Sequence, residues 1–253
     1  MSRKHIVALS GGKDSTALAC ELREREPRDY IWACTPTGNE LPEMIDHWKR
    51  LGDLLGSPLI PITSGHSLAG LIRRWSMLPN HTARWCTRVL KLEVYDQFVR
   101  GHLPCVSYVG LRADESDRAG MDFRDGAGVE LRFPMREWGW TEIDVERCLE
   151  RNNIQIPART DCAWCYHQTL GEWWRLWYDN RAIYLEAESM EQFVTEQRGK
   201  PYTFRSPQRD TWPADLASMR GRFELGHVPP RTVQSDDLFR GGRRPTMCRV
   251  CTL

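Results

Sequence analysis

An apolar run, Ile6-Val7-Ala8-Leu9, breaks at once into Ser10-Gly11-Gly12-Lys13-Asp14-Ser15-Thr16. A short apolar run ending in glycines reads as a buried strand, and the polar turn after it opens a helix. Two consecutive glycines permit torsions and a close backbone approach that a side chain would forbid. The unpaired N–H groups of a helix start, helped by the helix dipole, then face an anion. Ser10 and Ser15 supply hydroxyls and Lys13 a cation. Ser10, Gly11, Gly12, Lys13, Asp14 and Ser15 are therefore the expected contacts of a phosphate group. The spacing is not that of a Walker loop.

Beyond this turn the chain repeats the strand-then-helix alternation. The pattern predicts a helix from Asp14 to about Arg25, a strand at Tyr30–Thr35 and a helix over Glu43–Leu55. It then predicts a short strand at Pro58–Ile62, helical segments at Ser67–Trp75 and Thr87–Arg100, and a strand at Val106–Leu111. Phe133-Pro134-Met135 reads as a strand end, and Thr141 as the N-cap of a helix ending near Asn152, with Asp144 at its third position. Such alternation predicts an α/β, Rossmann-like fold: a parallel sheet with helices on both faces. Ligands of these sheets sit beyond the carboxyl ends of the strands, where the loop, Thr37-Gly38, Cys86 and Arg112 all belong.

Near residue 160 the texture changes to a Cys- and Trp-rich, mostly helical and then irregular stretch. The expected division is a nucleotide-binding domain over 1–158 and an extension over 159–253 that packs on the active-site edge. Its last fifty residues read as loosely packed. At helical spacing, Trp173, Trp174 and Trp177 read as core or as a shield for a neighbouring site. A net charge of +1 gives no bulk pull toward nucleic acid. Local basic patches are another matter; Lys200, Arg205 and Arg209 with Arg240, Arg243 and Arg244 form one candidate. No apolar run approaches the ~20 residues of a membrane span, and the N-terminus has no apolar signal core. A cytoplasmic protein with no membrane partner is expected.

Nine cysteines in a reducing compartment suggest ligands or packing groups before disulfides. Cys20, Cys34, Cys105 and Cys148 fall on apolar faces and read as core. Cys86, the pair Cys162-x-x-Cys165 and the pair Cys248-x-x-Cys251 remain. They allow a 4Fe–4S cluster on Cys86, Cys162, Cys165 and Cys248. They equally allow a zinc site built from the two pairs, or a metal-free thiol relay. His167 reads as a neighbour of that site.

The loop resembles the PP-loop, S-G-G-x-D-S, of the adenine nucleotide alpha-hydrolase superfamily. Four further segments resemble its phosphoadenosine phosphosulfate (PAPS) reductase branch. They are Thr37-Gly38-Asn39-Glu40-Leu41-Pro42-Glu43, the stretch from Cys86 to Lys91, Gly110-Leu111-Arg112 through Glu115-Ser116 to Arg118, and Phe133-Pro134-Met135 with Trp138 and Val145. The resemblance implies ATP as the bound nucleotide, with Thr37, Gly38, Lys91, Gly110, Arg112 and Arg118 completing its site. Reductases of sulfated nucleotides have lost the Lys and Asp of the loop, whereas Lys13 and Asp14 stand here. That implies cleavage of ATP between its α and β phosphates, with Lys13 neutralising the leaving pyrophosphate and Asp14 holding Mg2+.

The expected activity is adenylation of an acceptor, tRNA or DNA, for sulfur transfer, with a cysteine desulfurase or a reductant as sulfur-supplying partner. A homodimer is compatible with this. One alternative is a sulfonucleotide reductase using Cys251, although the reductases' Glu-Cys-Gly-Ile/Leu-His tail is absent. Another is an accessory subunit that binds nucleotide without turnover.

Overall fold

The computed structural model describes residues 3–118, 120 and 128–229. Five strands, β1 (Lys4–Ala8), β2 (Tyr30–Cys34), β3 (Ile60–Pro61), β4 (Cys105–Tyr108) and β5 (Val129–Arg132), form one sheet in the order β3-β2-β1-β4-β5. Every pairing is parallel, and β1 lies central with Val7 opposite both Trp32 and Tyr108. Since β1 is followed by β2 on one side and paired with β4 on the other, the connections diverge there. This opens a crevice at the carboxyl ends of β1 and β4.

Alternate residues of β1 enter different cores, as a strand's two-residue period requires. Val7 and Leu9 pack with α1 (Lys13–Arg25), α2 (Pro42–Leu55) and α7 (Glu142–Arg151). Ile6 and Ala8 pack with α5 (Glu93–Arg100) on the opposite face. The expected α/β sheet with helices on both faces is present. Cys20, Cys34, Cys105 and Cys148 are all buried.

A separate apolar cluster lies beside the sheet. It joins α3 (Leu68–Trp75), α4 (Trp85–Thr87), α8 (Leu170–Asp179), α9 (Arg181–Arg198) and α10 (Leu216–Glu224), and so draws on both sides of residue 158. Trp173 and Trp177 are buried in it, and Trp174 is partly buried against it. The loose packing expected after Pro201 is corrected for 201–229: Phe204, Leu216, Met219 and Phe223 are core residues. Arg205 is buried too, donating to the Pro213 carbonyl at 2.8 Å and pairing with Asp210, so it cannot join a surface patch. A buried carboxylate, Glu191, accepts the amides of Phe204 at 2.8 Å and Leu216 at 2.7 Å and ties this segment to α9.

Two local differences from the sequence reading have physical causes. The strand expected to end at Phe133-Pro134-Met135 is β5, which stops just before it at Arg132, because Pro134 opens the one-turn helix α6 (Pro134–Glu137), the position where its fixed φ and missing N–H suit a helix. The helix expected from Thr87 to Arg100 is continuous but contains a π-helical turn at Arg88–Leu92, between α4 and α5. As expected, the Asp144 carboxylate accepts from the Thr141 amide at 2.8 Å and hydroxyl at 2.9 Å, fixing the start of α7. Among the described residues no helix is long and apolar enough to cross a membrane.

Candidate active site

The loop after β1 turns on Gly11, whose φ of +84° an L side chain rarely adopts. A Cβ there would fall 2.1 Å from Met44 Cε and 2.6 Å from Trp48 Nε1. Trp48 donates to the Ser10 carbonyl at 3.0 Å, and His47 bonds to the Gly11 backbone. Thus α2 braces the loop from behind. The Gly11 amide donates to Ser15 Oγ at 3.1 Å and the Gly12 amide to Ser10 Oγ at 3.3 Å. Gly12, the N-cap of α1, offers no side-chain cap, so the helix opens toward an anion with its first amides uncapped.

Charged groups converge on this turn. Lys13 pairs with Glu142 at the start of α7. Asp14 Oδ1 accepts from Arg112 Nη1 at 2.9 Å, and Arg112 Nε also reaches Asp114 at 2.9 Å. Glu115 accepts the Arg112 amide at 3.2 Å and the Arg118 guanidinium at 2.9 Å. Arg112 and Glu115 expose only 6% of their side chains and Asp14 only 13%. Burial pushes the Asp14 carboxyl up despite the pull of Arg112. Gly110 makes this proximity possible, because a Cβ on it would lie 3.3 Å from the Asp14 backbone.

A second loop, between β2 and α2, ties the thiols to the same edge. The Glu40 carboxylate accepts from the Thr37 amide at 2.6 Å, its hydroxyl at 2.7 Å and the Asn39 amide at 3.1 Å. Asn39 then accepts two amides of the Cys-x-x-Cys turn, Ala163 at 2.7 Å on its carbonyl and Trp164 at 2.9 Å on its side chain. From the other side, Arg159 donates to the Cys162 carbonyl at 2.9 Å, Gln168 at 2.9 Å and Asp161 at 3.0 Å. Thr160 Oγ1 lies 3.6 Å from where a Cβ on Gly12 would stand. The segment leading into the thiol turn therefore passes beside the glycine loop.

Cys162 and Cys165 are hydrogen-bonded through their thiols, which together with burial raises Cys165. Burial and the neighbouring Cys162 push Cys86 up to about 11, while Lys91, buried on the π-helical turn, pulls the other way. Cys86, Cys162 and Cys165 thus share one neighbourhood, with soft donors of the kind that iron–sulfur clusters and zinc take. The donor chemistry fits such a group, although among the described residues no three His, Cys, Asp or Glu are gathered as a metal centre. Cys248 and Cys251 lie outside the described residues, as do Arg240, Arg243 and Arg244.

Several residues that build the site were not singled out from the sequence: Asn39 for its grip on the thiol turn, Glu142 for Lys13, and Arg159 with Gln168 behind the cysteines. Asn39 stood inside a quoted segment, but nothing in a linear pattern joins it to a turn more than a hundred residues away.

No family model and no curated protein matches the chain. Among solved structures, it is similar to a phosphoadenylyl-sulfate (PAPS) reductase from Candida auris in a phosphate complex. The identity is 13%, the TM-score 0.46, and the match covers 62% of this chain and 76% of that one. It is also similar to the U34-tRNA thiolase NcsA from Methanococcus maripaludis with its 4Fe–4S cluster. Here the identity is 16%, the TM-score 0.49, and the match covers 99% of this chain and 80% of that one. The α/β fold rests on the strand order and the all-parallel pairing.

Proposed function

We propose that this protein is a PP-loop enzyme of the PAPS reductase-like branch that cleaves ATP between its α and β phosphates to adenylate a nucleic-acid acceptor for sulfur transfer. The observation that carries this reading is the glycine cradle at the start of α1, with Lys13 and Asp14 in its first turn, and a thiol turn bound by Asn39 to the neighbouring β2–α2 loop on the same sheet edge.

In the first step an acceptor oxygen attacks the α-phosphorus and the bond to the bridging oxygen breaks, so pyrophosphate leaves. The amides of Gly11 and Gly12, released from Ser15 and Ser10, receive its oxygens. Lys13, turned from Glu142, balances the charge that builds on it. Asp14, oriented by Arg112, is the carboxylate suited to hold Mg2+ among the phosphates. In the second step a sulfur nucleophile displaces AMP together with the acceptor oxygen. Cys86, Cys162 and Cys165 would hold an iron–sulfur cluster or zinc, which when bound would supply a place to carry that sulfur. The sulfur itself comes from a separate desulfurase-type donor as a persulfide, and a reductant partner supplies the two electrons that free it as the nucleophile.

The test is ATP turnover with the full chain, purified without oxygen, in the presence of RNA or DNA. AMP and pyrophosphate should form together, and Lys13→Ala should abolish both. Sulfite released from PAPS without ATP cleavage would instead identify a sulfonucleotide reductase. ATP binding with no product would identify an accessory subunit.

A further inference from the structure

Between Asp53 and Glu93 the chain carries no acidic residue. Positions 54–92 hold Arg73, Arg74, Arg84, Arg88 and Lys91, with His66 and His81, in a protein whose 35 Lys and Arg overall face 34 Asp and Glu. The fold keeps this segment together. Leu71 and Ile72 of α3 and Trp85 of α4 enter one apolar cluster, and Trp75 meets Trp85 edge to face at 4.9 Å. Arg74 and Arg84, each next in sequence to one of those rings, flank a single contact. Arg73, Arg74, Arg84 and Arg88 are all at least partly exposed. Among the described residues the first three enter no ion pair, and Arg88 meets the exposed Glu93 at 3.4 Å. Arg198 adds a further exposed cation, donating to the Trp75 carbonyl at 3.0 Å and the Ser76 carbonyl at 2.7 Å.

This face borders the thiols. Arg84 and Arg88 stand two residues either side of Cys86. The Arg84 guanidinium lies against the Tyr166 hydroxyl, on the residue after Cys165. The His81 ring packs on Tyr166 at 5.2 Å and on His167 at 4.9 Å. Cys162 is itself partly exposed.

We infer that this basic face binds the phosphodiester backbone of a nucleic-acid strand and lays one of its nucleotides at the thiol turn. The inference rests on the reading of the protein as an enzyme that transfers sulfur to nucleic acid, and it assigns where that acceptor docks. Guanidinium forks match phosphate oxygens. A single small anion needs cations that converge on one point. These are spread along α3 and α4, which suits a chain of phosphates. The overall charge of +1 supplies no general attraction, so docking must come from a local basic face. His81, an exposed ring at the border, offers a surface on which a base can stack.

The experiment measures binding of labelled single-stranded RNA and DNA of one sequence to the full chain across a salt series. Arg73→Gln/Arg74→Gln and Arg84→Gln/Arg88→Gln are compared with the matching Arg→Lys pairs. Each pair neutralises two phosphate contacts. At ~0.1 M salt each Gln pair should weaken binding about 25-fold and flatten the slope of log K against log salt by about 1.4. The Lys pairs should keep the slope, and ATP affinity should be unchanged throughout. Unaltered strand binding in both Gln pairs would overturn the inference, as would a wild-type chain that binds anionic vesicles but neither strand. If strands bind through these arginines while ATP yields no AMP, the docking face stands and the proposed reaction falls.

Discussion

Arg112 invites a decisive perturbation, because the resemblance and the structure weight its roles differently. As one of several phosphate-gripping cations, its loss should weaken nucleotide binding more than it weakens folding. In the structure its guanidinium is nearly buried and lies between Asp14 and Asp114, with Glu115 at 4.0 Å. Arg112→Ala would strand Asp14 with most of its surface hidden, and would leave Glu115 with Arg118 as its remaining guanidinium partner. Breaking a buried pair by removing one partner costs about 3–5 kcal/mol. For a chain of this size that is a fall in melting temperature of roughly 6–20 °C. The loss should also shrink in acid. Burial already raises Asp14, and removing Arg112 raises it further, so protonation relieves the stranded charge as pH falls through that raised value. The assay is thermal unfolding of the wild type, Arg112→Ala and Arg112→Lys at neutral and mildly acid pH, alongside ATP turnover. A melting temperature within ~2 °C of wild type at neutral pH, with ATP binding lost, would refute the claim that Arg112 holds the site together.

Further outcomes are expected elsewhere. Gly11→Ala should cost at least ~1–3 kcal/mol from the backbone conformation alone, before the collision with Met44 and Trp48, and should weaken ATP affinity more than tenfold by titration calorimetry. Burial and Arg50 lower His47 to about 4, so the folded chain refuses a proton that the unfolded chain takes below about 6.5. Its contribution, about 3 kcal/mol, is present at neutral pH and lost as pH falls through that window, and His47→Gln should remove this acid-side slope in denaturant unfolding. Glu191 acts in the opposite sense. Burial lifts it to about 8, so between about 4.5 and 8 the folded state holds a proton that the unfolded state has released. Stability from this group falls as pH rises, and Glu191→Gln should flatten the alkaline-side decline. Cys162→Ser should lower iron or zinc bound by protein purified without oxygen, and unchanged metal content would remove the Cys162–Cys165 pair as ligands.

The sheet and the glycine turn after β1 were legible in the sequence because their signals are local. A buried strand running into Ser-Gly-Gly, a Thr141/Asp144 helix start and apolar steps along α2 each declare themselves within a few residues. Only the end of β5 was anticipated, because the body, Val129–Arg132, alternates over just four positions. The π-helical turn at Arg88–Leu92 was also hidden, since its residues read as ordinary helix. The thiol site was half legible. Spacing singled out Cys86, Cys162 and Cys165, but the setting of the Cys162–Cys165 turn depends on Asn39 and Arg159, whose contacts arise from tertiary packing. The segment after Pro201 looked loose from its Arg, Pro and Gly content. What holds it is a buried carboxyl, Glu191, reaching amides from a helix that the sequence showed only as part of a Trp-rich helical stretch.

The apolar cluster beside the sheet has a consequence for how the molecule is made. Leu71, Ile72, Trp85 and Leu90 leave the ribosome long before Trp173, Tyr184, Leu216 and Phe223, which cover them. A nascent chain halted near residue 158 could complete its sheet and still present a bare greasy flank to solvent or to a chaperone. Truncated versions lacking α8 to α10 should accordingly be sticky rather than merely shorter, however intact their sheet and glycine loop.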